Sequence, residues 1–358
     1  MKKLDWYIIR KFLGTFFFTI ILIIVIVIIF DISEKIDDFL RTHAPLKEIV
    51  FSYYLTFIPY FTNMFSPLFT FIAVVFFTSK LAYNTEIVAI LSSGISFHRL
   101  LRPYMISATF LAFMSFYLAN FLIPQTNRIR TEFEDKYIYS KRHNTARNIH
   151  LQNVPGMLVY VETFNNEENK GYNFTLEKIK NYKRTYKMAA RDIQYDSLTK
   201  VWEVHHYMIR KSENDETHFE YGDTMQLSLN VVPSDFSNDV KKTELMNYFQ
   251  LKDFIESERI KGSKNIKFYE VERHKRVAFP FATLILTIIG ASLSSRKVRG
   301  GIGLHLALGL LISFSYIIFM QISTVFANYG TLSPLVAVWI PNIIFAALAI
   351  FLLRMAPK

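Results

Sequence analysis

Few residues of this 358-residue chain have types and spacings that could do chemistry. His205-His206 is its one adjacent histidine pair, but neighbouring strand positions point to opposite faces, so the two rings cannot make one metal site alone. Gly300-Gly301-Ile302-Gly303 is glycine-rich, yet it lies beside an apolar run and lacks the preceding strand of a phosphate-binding turn. There is no cysteine, hence no disulfide and no thiolate ligand, a composition that an oxidising compartment permits. No nucleophile, base and acid set stands out, so the sequence reads as a non-enzyme with no catalytic or metal residue. The segment with the sharpest character is 84–94, Asn-Thr-Glu-Ile-Val-Ala-Ile-Leu-Ser-Ser-Gly. It predicts a short helix with Asn84 as cap, Glu86 at the positive end of the dipole and Gly94 as the stop. Ile87, Val88, Ala89, Ile90 and Leu91 make it apolar on nearly every side. Such a helix in a watery loop must enter a partner's groove or lie in the membrane interface. Burying four of these side chains gives roughly 6–10 kcal/mol gross, before association costs that consume most of it.

The elements around it are six uncharged runs: Phe12–Phe30, Tyr54–Phe77, Pro103–Ile123, Val277–Ser295, Leu304–Phe326 and Leu335–Leu353. Each has the ~20 residues that a helix needs to cross a hydrocarbon core of ~30 Å. None contains Asp, Glu, Lys or Arg, each of which costs at least ~2.5–3.5 kcal/mol at the bilayer centre and marks ion or proton pathways. Ion-coupled transport is thereby disfavoured, and any energy must come from another chain. Asn63, Ser66, Asn120, Gln321 and Asn342 are expected to find partners on neighbouring helices. Pro59, Pro67, Pro280 and Pro341 are the positions where spans could kink.

Charge sets the orientation. Lys2, Lys3, Arg10, Lys11, Lys80, Arg99, Arg102, Arg296, Lys297, Arg299, Arg354 and Lys358 lie at the two termini, between spans two and three and between spans four and five, against only Asp5 and Glu86. These segments therefore carry nearly all of the net charge of +11. Lys/Arg excess marks the cytoplasmic side, which places both termini inside and the polar insert outside. The basic character thus reports topology and gives no support to nucleic-acid binding. The first apolar run is longer than a signal-peptide core and is followed by Phe30-Asp31-Ile32 instead of small residues, so it reads as a retained span.

Between spans three and four the pattern changes to alternation of period two. Met157–Phe164, Tyr172–Ile179, Lys200–Ile209, Thr217–Tyr221 and Met225–Val231 read as strands. Turn signals at Pro155-Gly156, Asn165–Gly171, Asp196-Ser197 and Ser212–Glu216 separate them. The expectation is a sandwich, jelly roll or open curved sheet. Leu245–Ile260 then has helical spacing with Gly262 as a stop, and Phe268–Arg276 is expected to run directly into span four.

Over essentially its whole length the chain resembles the LptF/LptG permease family of the lipopolysaccharide-transport ABC complex. The resemblance rests on the three-plus-three layout, on Leu4-Asp5-Trp6-Tyr7-Ile8-Ile9-Arg10-Lys11-Phe12, on Thr85-Glu86 through Gly94, and on Glu270 through Pro280. Leu158–Glu162, Lys200–Glu203 and the last span look closer to LptG. It implies six transmembrane α-helices with an all-β, jelly-roll-like periplasmic domain inserted between helices 3 and 4. The divisions are residues 1–123 for spans one to three with a coupling helix at 84–94, residues 124–265 for the periplasmic domain, and residues 266–358 for spans four to six. It further implies an inner-membrane permease, paired with a second permease of the family. A cytoplasmic ATPase dimer, which carries ATP and Mg, drives it, and no cofactor sits on this chain. Glu86, Ile87, Ile90, Leu91 and Gly94 would form the ATPase-coupling element. Lipopolysaccharide would enter from the membrane beside spans one and five and leave along a bridge of periplasmic jelly-roll proteins. The basic residues that family members place outside span one correspond here to Lys35 and Arg41, which acidic neighbours crowd. The reading from another class is a membrane-anchored sensor or scaffold, with a ligand-binding β-domain and a docking helix.

Overall fold

The structure is a computed structural model that describes residues 3–138, 145–165, 168–180, 183–213, 216–236, 240–263, 265–296, 301–330 and 332–356. Parts of the turns expected at Asn165–Gly171 and Ser212–Glu216 lie outside the described residues, as do Lys2, Lys297, Arg299, Gly300 and Lys358. The chain divides into two compact units, one of residues 1–139, 243–249 and 270–358, the other of 140–242 and 250–269.

The first unit is helical. It contains α1 (Lys3–Arg41), α2 (Leu46–Glu48), a π-helical segment Ile49–Tyr54 that continues into α3 (Leu55–Tyr83), and α4 (Glu86–Ser92). After these come α5 (Phe97–Tyr117), a second π-helical segment Leu118–Leu122 and α6 (Ile123–Tyr137). Following α7 (Tyr248–Ile260), which lies mostly in the other unit, are α8 (Ile266–Ser294), α9 (Gly301–Tyr329) and α10 (Pro334–Met355). Among the described residues, six helical stretches are long and apolar enough to cross a membrane. Successive spans alternate in direction, so Lys3, α4 and Ala356 lie at one end of the bundle, the terminal side, and residues 31–55 and 124–137 at the other, the insert side.

The α3 helix is central. Its apolar window is 72% buried, against 22% for those of α1 and α9. Phe69, Val74 and Phe77 pack with α1 and α5, while Phe71 and Val75 pack with α8, α9 and α10. With no hydrophobic force between helices in lipid, close packing must hold them, and small residues permit it. A Cβ on Gly309 would stand 3.0 Å from Phe71 Cε1, and one on Gly290 3.0 Å from Val74 Cγ1 and 3.3 Å from Phe71 Cε2. Gly309→Leu is expected to cost about 1–3 kcal/mol by overpacking. The melting midpoint of the detergent-solubilised protein should fall, and Phe71→Ala in the same chain should restore part of it.

Some polar side chains inside the bundle find partners on neighbouring helices. Ser115 Oγ donates to Asn63 Oδ1 at 2.6 Å, Tyr316 OH to Asn342 Oδ1 at 2.8 Å, and Asn342 Nδ2 to the Ala278 carbonyl at 2.9 Å. Asn120 Nδ2 donates to the Phe116 carbonyl at 2.9 Å within the second π-helical segment, while its Oδ1 and Ser66 Oγ have no partner among the described residues.

The second unit is a single antiparallel sheet in meander order, the open sheet among the shapes expected. Its strands are β1 (Thr145–Val154), β2 (Met157–Asn165), β3 (Lys170–Lys180), β4 (Lys183–Asp196), β5 (Val201–Glu213) and β6 (Glu216–Leu227). Val159, Val161, Phe164, Phe174, Leu176, Met188 and Trp202 form its core, closed by Val231 and Phe236. Trp202 Nε1 donates to the Val231 carbonyl at 2.8 Å.

Three differences from the sequence reading have physical causes. One row across the sheet, Asn148, Glu162, Asn173, Arg191, His206 and Asp223, drops out of the pairing on all six strands. All six residues are exposed, and Asn148, Asn173 and His206 have φ near +50°. The row shifts the inward face by one residue: Val161 is followed inward by Phe164, and Val204 by Ile209. Thr217–Tyr221 and Met225–Val231 are therefore parts of one strand, β6, ending at Leu227, with the break in alternation at Gly222-Asp223. The Tyr207 phenol lies over Gly222, where a Cβ would make the ring swing aside. The sequence reading also lacks β1 and β4; β4 crosses the row at Arg191-Asp192, which hides its alternation.

The third difference is at 240–260. The sequence predicts one helix from Leu245, whereas the chain makes a 3-10 turn, Val240–Leu245, and starts α7 at Tyr248. Side chains from the membrane helices take the carbonyls that a helix would need. Arg276 donates to Thr243 and Met246, both at 2.7 Å, and Arg128 to Leu245 at 2.8 Å. Gly262, φ +67°, ends α7 as expected, with Ser263 N–H donating to the Glu258 carbonyl at 3.0 Å. Phe268–Arg276 runs unbroken into span four within α8.

Candidate functional site

The α4 helix stands on the terminal side between α3 and α5. Asn84 is not its cap: Thr85 is, in the left-handed region at φ +62° and without a side-chain cap bond. The Asn84 amide instead donates to Glu86 Oε1 at 3.2 Å, and Tyr7 OH donates to Glu86 Oε2 at 3.3 Å. At the other end Gly94, φ +85°, turns the chain, its N–H donating to the Leu91 carbonyl at 3.0 Å. Ser96 then caps α5, accepting from Arg99 N–H at 3.4 Å.

The first turn of α1 therefore holds both elements that flank this loop. Tyr7 reaches Glu86, and Asp5, almost fully buried, takes the Arg99 guanidinium on both oxygens at 2.7 and 2.8 Å. A forked pair of this kind fixes orientation as well as distance.

The apolar side chains of α4 divide sharply. Ile87 is 1% exposed and belongs to the core shared by α1, α3 and α5, with Ile90 and Leu91 packed half-buried against it. Val88, 55% exposed, and Ala89 and Ser92 face outward. Of the residues picked from sequence, Ile87 thus anchors the helix and Glu86 is held by α1, while Val88 carries the outward apolar surface. Sequence periodicity could not separate them, because every position from 87 to 91 is apolar.

At the insert side the two basic candidates differ. Lys35 Nζ lies 2.8 Å from Asp31 Oδ1, is hydrogen-bonded to the Tyr53 hydroxyl and stands 4.7 Å from that ring's centroid. Tyr54 OH donates to the other Asp31 oxygen at 3.0 Å. The ammonium is thereby matched and ties α1 to the π-helical segment. Arg41 makes one surface pair, to Asp38 at 2.9 Å, and its side chain is 67% exposed. No group of three or more His, Asp or Glu residues among the described ones is arranged to hold a metal ion.

Residues 6–355 match the sequence profile of a family described as lipopolysaccharide export system permease LptF/LptG, a match that does not separate the two members of the pair. No curated protein matches the chain.

Proposed function

The chain belongs to the LptF/LptG family of lipopolysaccharide export permeases, a family of multi-pass transport proteins, and from that premise we propose that it extracts lipopolysaccharide from the inner membrane as one of two paired permease chains. The observation that carries this reading is the uneven burial of the spans: only 22% of the apolar window is buried in α1 and in α9, against 72% in α3. Two such faces on one chain suit a half-built bundle, completed by a second permease and by lipid between them. Spans without Asp, Glu, Lys or Arg in their apolar runs offer no ion pathway, so ATP hydrolysed on a separate cytoplasmic dimer drives the cycle through α4. The β-sheet unit is the periplasmic receiver that hands lipid to a bridge of similar domains.

For the lipid's phosphates, Arg41 is the better placed cation. An exposed pair such as Arg41 with Asp38 is worth about 1 kcal/mol at most, so a phosphate displaces it readily. At Lys35 it must displace Asp31 and Tyr53 together.

Depletion of the protein, followed by pulse-labelling and separation of the membranes, tests the function. New lipopolysaccharide should accumulate in the inner membrane, and arrival at the outer membrane at the undepleted rate would overturn the proposal.

A further inference from the structure

A cavity of about 300 Å³ lies within the helical unit, walled by α3, α5, α6, α8 and α9. It is polar toward the insert side, where Tyr60, Asn127, Glu244, Lys275 and Gln321 line it. Toward the bundle centre it is apolar, walled by Met64, Phe65, Phe279, Ile317 and Met320. From Glu272 to Pro280 along α8 this gradient extends over about 12 Å at 1.5 Å per residue. The polar groups at depth are already bonded, Ser115 Oγ to Asn63 and the Tyr316 hydroxyl to Asn342.

Two groups in the polar part have bonding capacity to spare. Asn127 is 1% exposed and its Oδ1 has no partner among the described residues, while its Nδ2 reaches the Glu244 carbonyl only at 3.5 Å. An orphaned buried acceptor is costly and calls for a donor. Lys275 makes no hydrogen bond or ion pair to a described residue; the nearby carboxylate of Glu272 is bonded instead to Arg276 at 2.9 Å. The Glu244 carboxylate adds negative charge on the same wall. The mouth thus presents a cation for an anionic group, and an acceptor beside a carboxylate for a positively charged donor.

We propose that this cavity is a lipid site separate from the export route, taking one acyl chain of an ethanolamine-type phospholipid, with the phosphate at Lys275 and the ammonium donating to Asn127 Oδ1. Its volume is too small for the several chains of a lipopolysaccharide anchor. A choline headgroup has the same charges but no N–H, so it leaves Asn127 unsatisfied. A bound chain also fills the space between α3 and α8–α9, which ties site occupancy to the packing of the two halves of the bundle.

The full-length protein, delipidated in a neutral detergent and titrated with phosphatidylethanolamine or phosphatidylcholine of identical chains, supplies the test by native mass spectrometry. Single-chain versions of both lipids run in parallel show whether a lyso- or a diacyl-lipid is the occupant. One ethanolamine lipid per chain should be retained, with about a tenfold preference over choline, the scale of one hydrogen bond to a charged group. Asn127→Leu should abolish that preference, and Lys275→Gln should weaken both lipids. Ala119→Phe, which fills the cavity, should exclude both; Ile317→Trp from the α9 wall gives the same reading if the first variant does not fold. Equal retention of both headgroups by the unsubstituted protein, an unchanged preference in Asn127→Leu, or undiminished binding in the filled variant would each overturn the site.

Discussion

Replacing Arg276 by methionine is expected to destabilise the helical unit by about 3–5 kcal/mol, the cost of losing three hydrogen bonds from a charged group at roughly 1.5 kcal/mol each. The guanidinium is 5% exposed, and its three nitrogens do three different jobs. Nε meets Glu272 at 2.9 Å, while the two terminal nitrogens hold the carbonyls of Met246 and Thr243 at 2.7 Å each. Methionine fills much of the same volume but leaves one carboxylate and two carbonyls without these donors. Lysine keeps the charge yet cannot reach three acceptors in a planar fork, so Arg276→Lys should fall between the two. The double variant Arg276→Met, Glu272→Gln should recover part of the loss by removing the stranded charge. Thermal unfolding of the detergent-solubilised protein measures the first effect. Limited proteolysis at 240–247 measures release of the segment that Arg276 holds. An unchanged midpoint together with unchanged cleavage would show that the three contacts do not anchor it.

The same residue shows where sequence stops being legible. The six spans can be read from uncharged runs because length and apolarity alone decide whether a helix suits a bilayer. The stops at Gly94 and Gly262 are legible for a local reason, since both take φ above +60°. Arg276 reads in sequence only as the last charge before span four. Its partners lie thirty residues earlier, and their carbonyls carry no side-chain signal. The strands were readable up to the transverse row, where a slip of one residue reverses the inward face and period two fails. Lys35 looked available because its acidic neighbours could be counted but Tyr53, brought over by the π-helical segment, could not. In α4 the sequence supplied the helix and its apolar character, and only packing assigned Ile87 inward and Val88 outward.

That assignment yields the second large effect. Under the proposed coupling role, Val88→Glu is expected to reduce recovery of the ATPase with the affinity-tagged permease by at least about tenfold, while leaving the permease's own melting midpoint unchanged. Val88 is 55% exposed, so a charge there costs the free protein little. In a partner's groove the same change forfeits about 1.5–3 kcal/mol of side-chain burial and adds a carboxylate that must be desolvated. Ile87→Glu should do the reverse. At 1% exposure it forces a carboxylate into the core shared with Phe97 and Leu81, so the permease itself should unfold at lower temperature whether or not an ATPase is present. Glu86→Arg lies between them: it breaks the contacts from Tyr7 and Asn84 and puts a cation at the positive end of the helix dipole. Recovery of the ATPase at wild-type stoichiometry with a well-folded Val88→Glu permease would remove α4 as the docking element. Loss of the ATPase only in the variant that also melts early would reduce the helix to a structural cap on the terminal side.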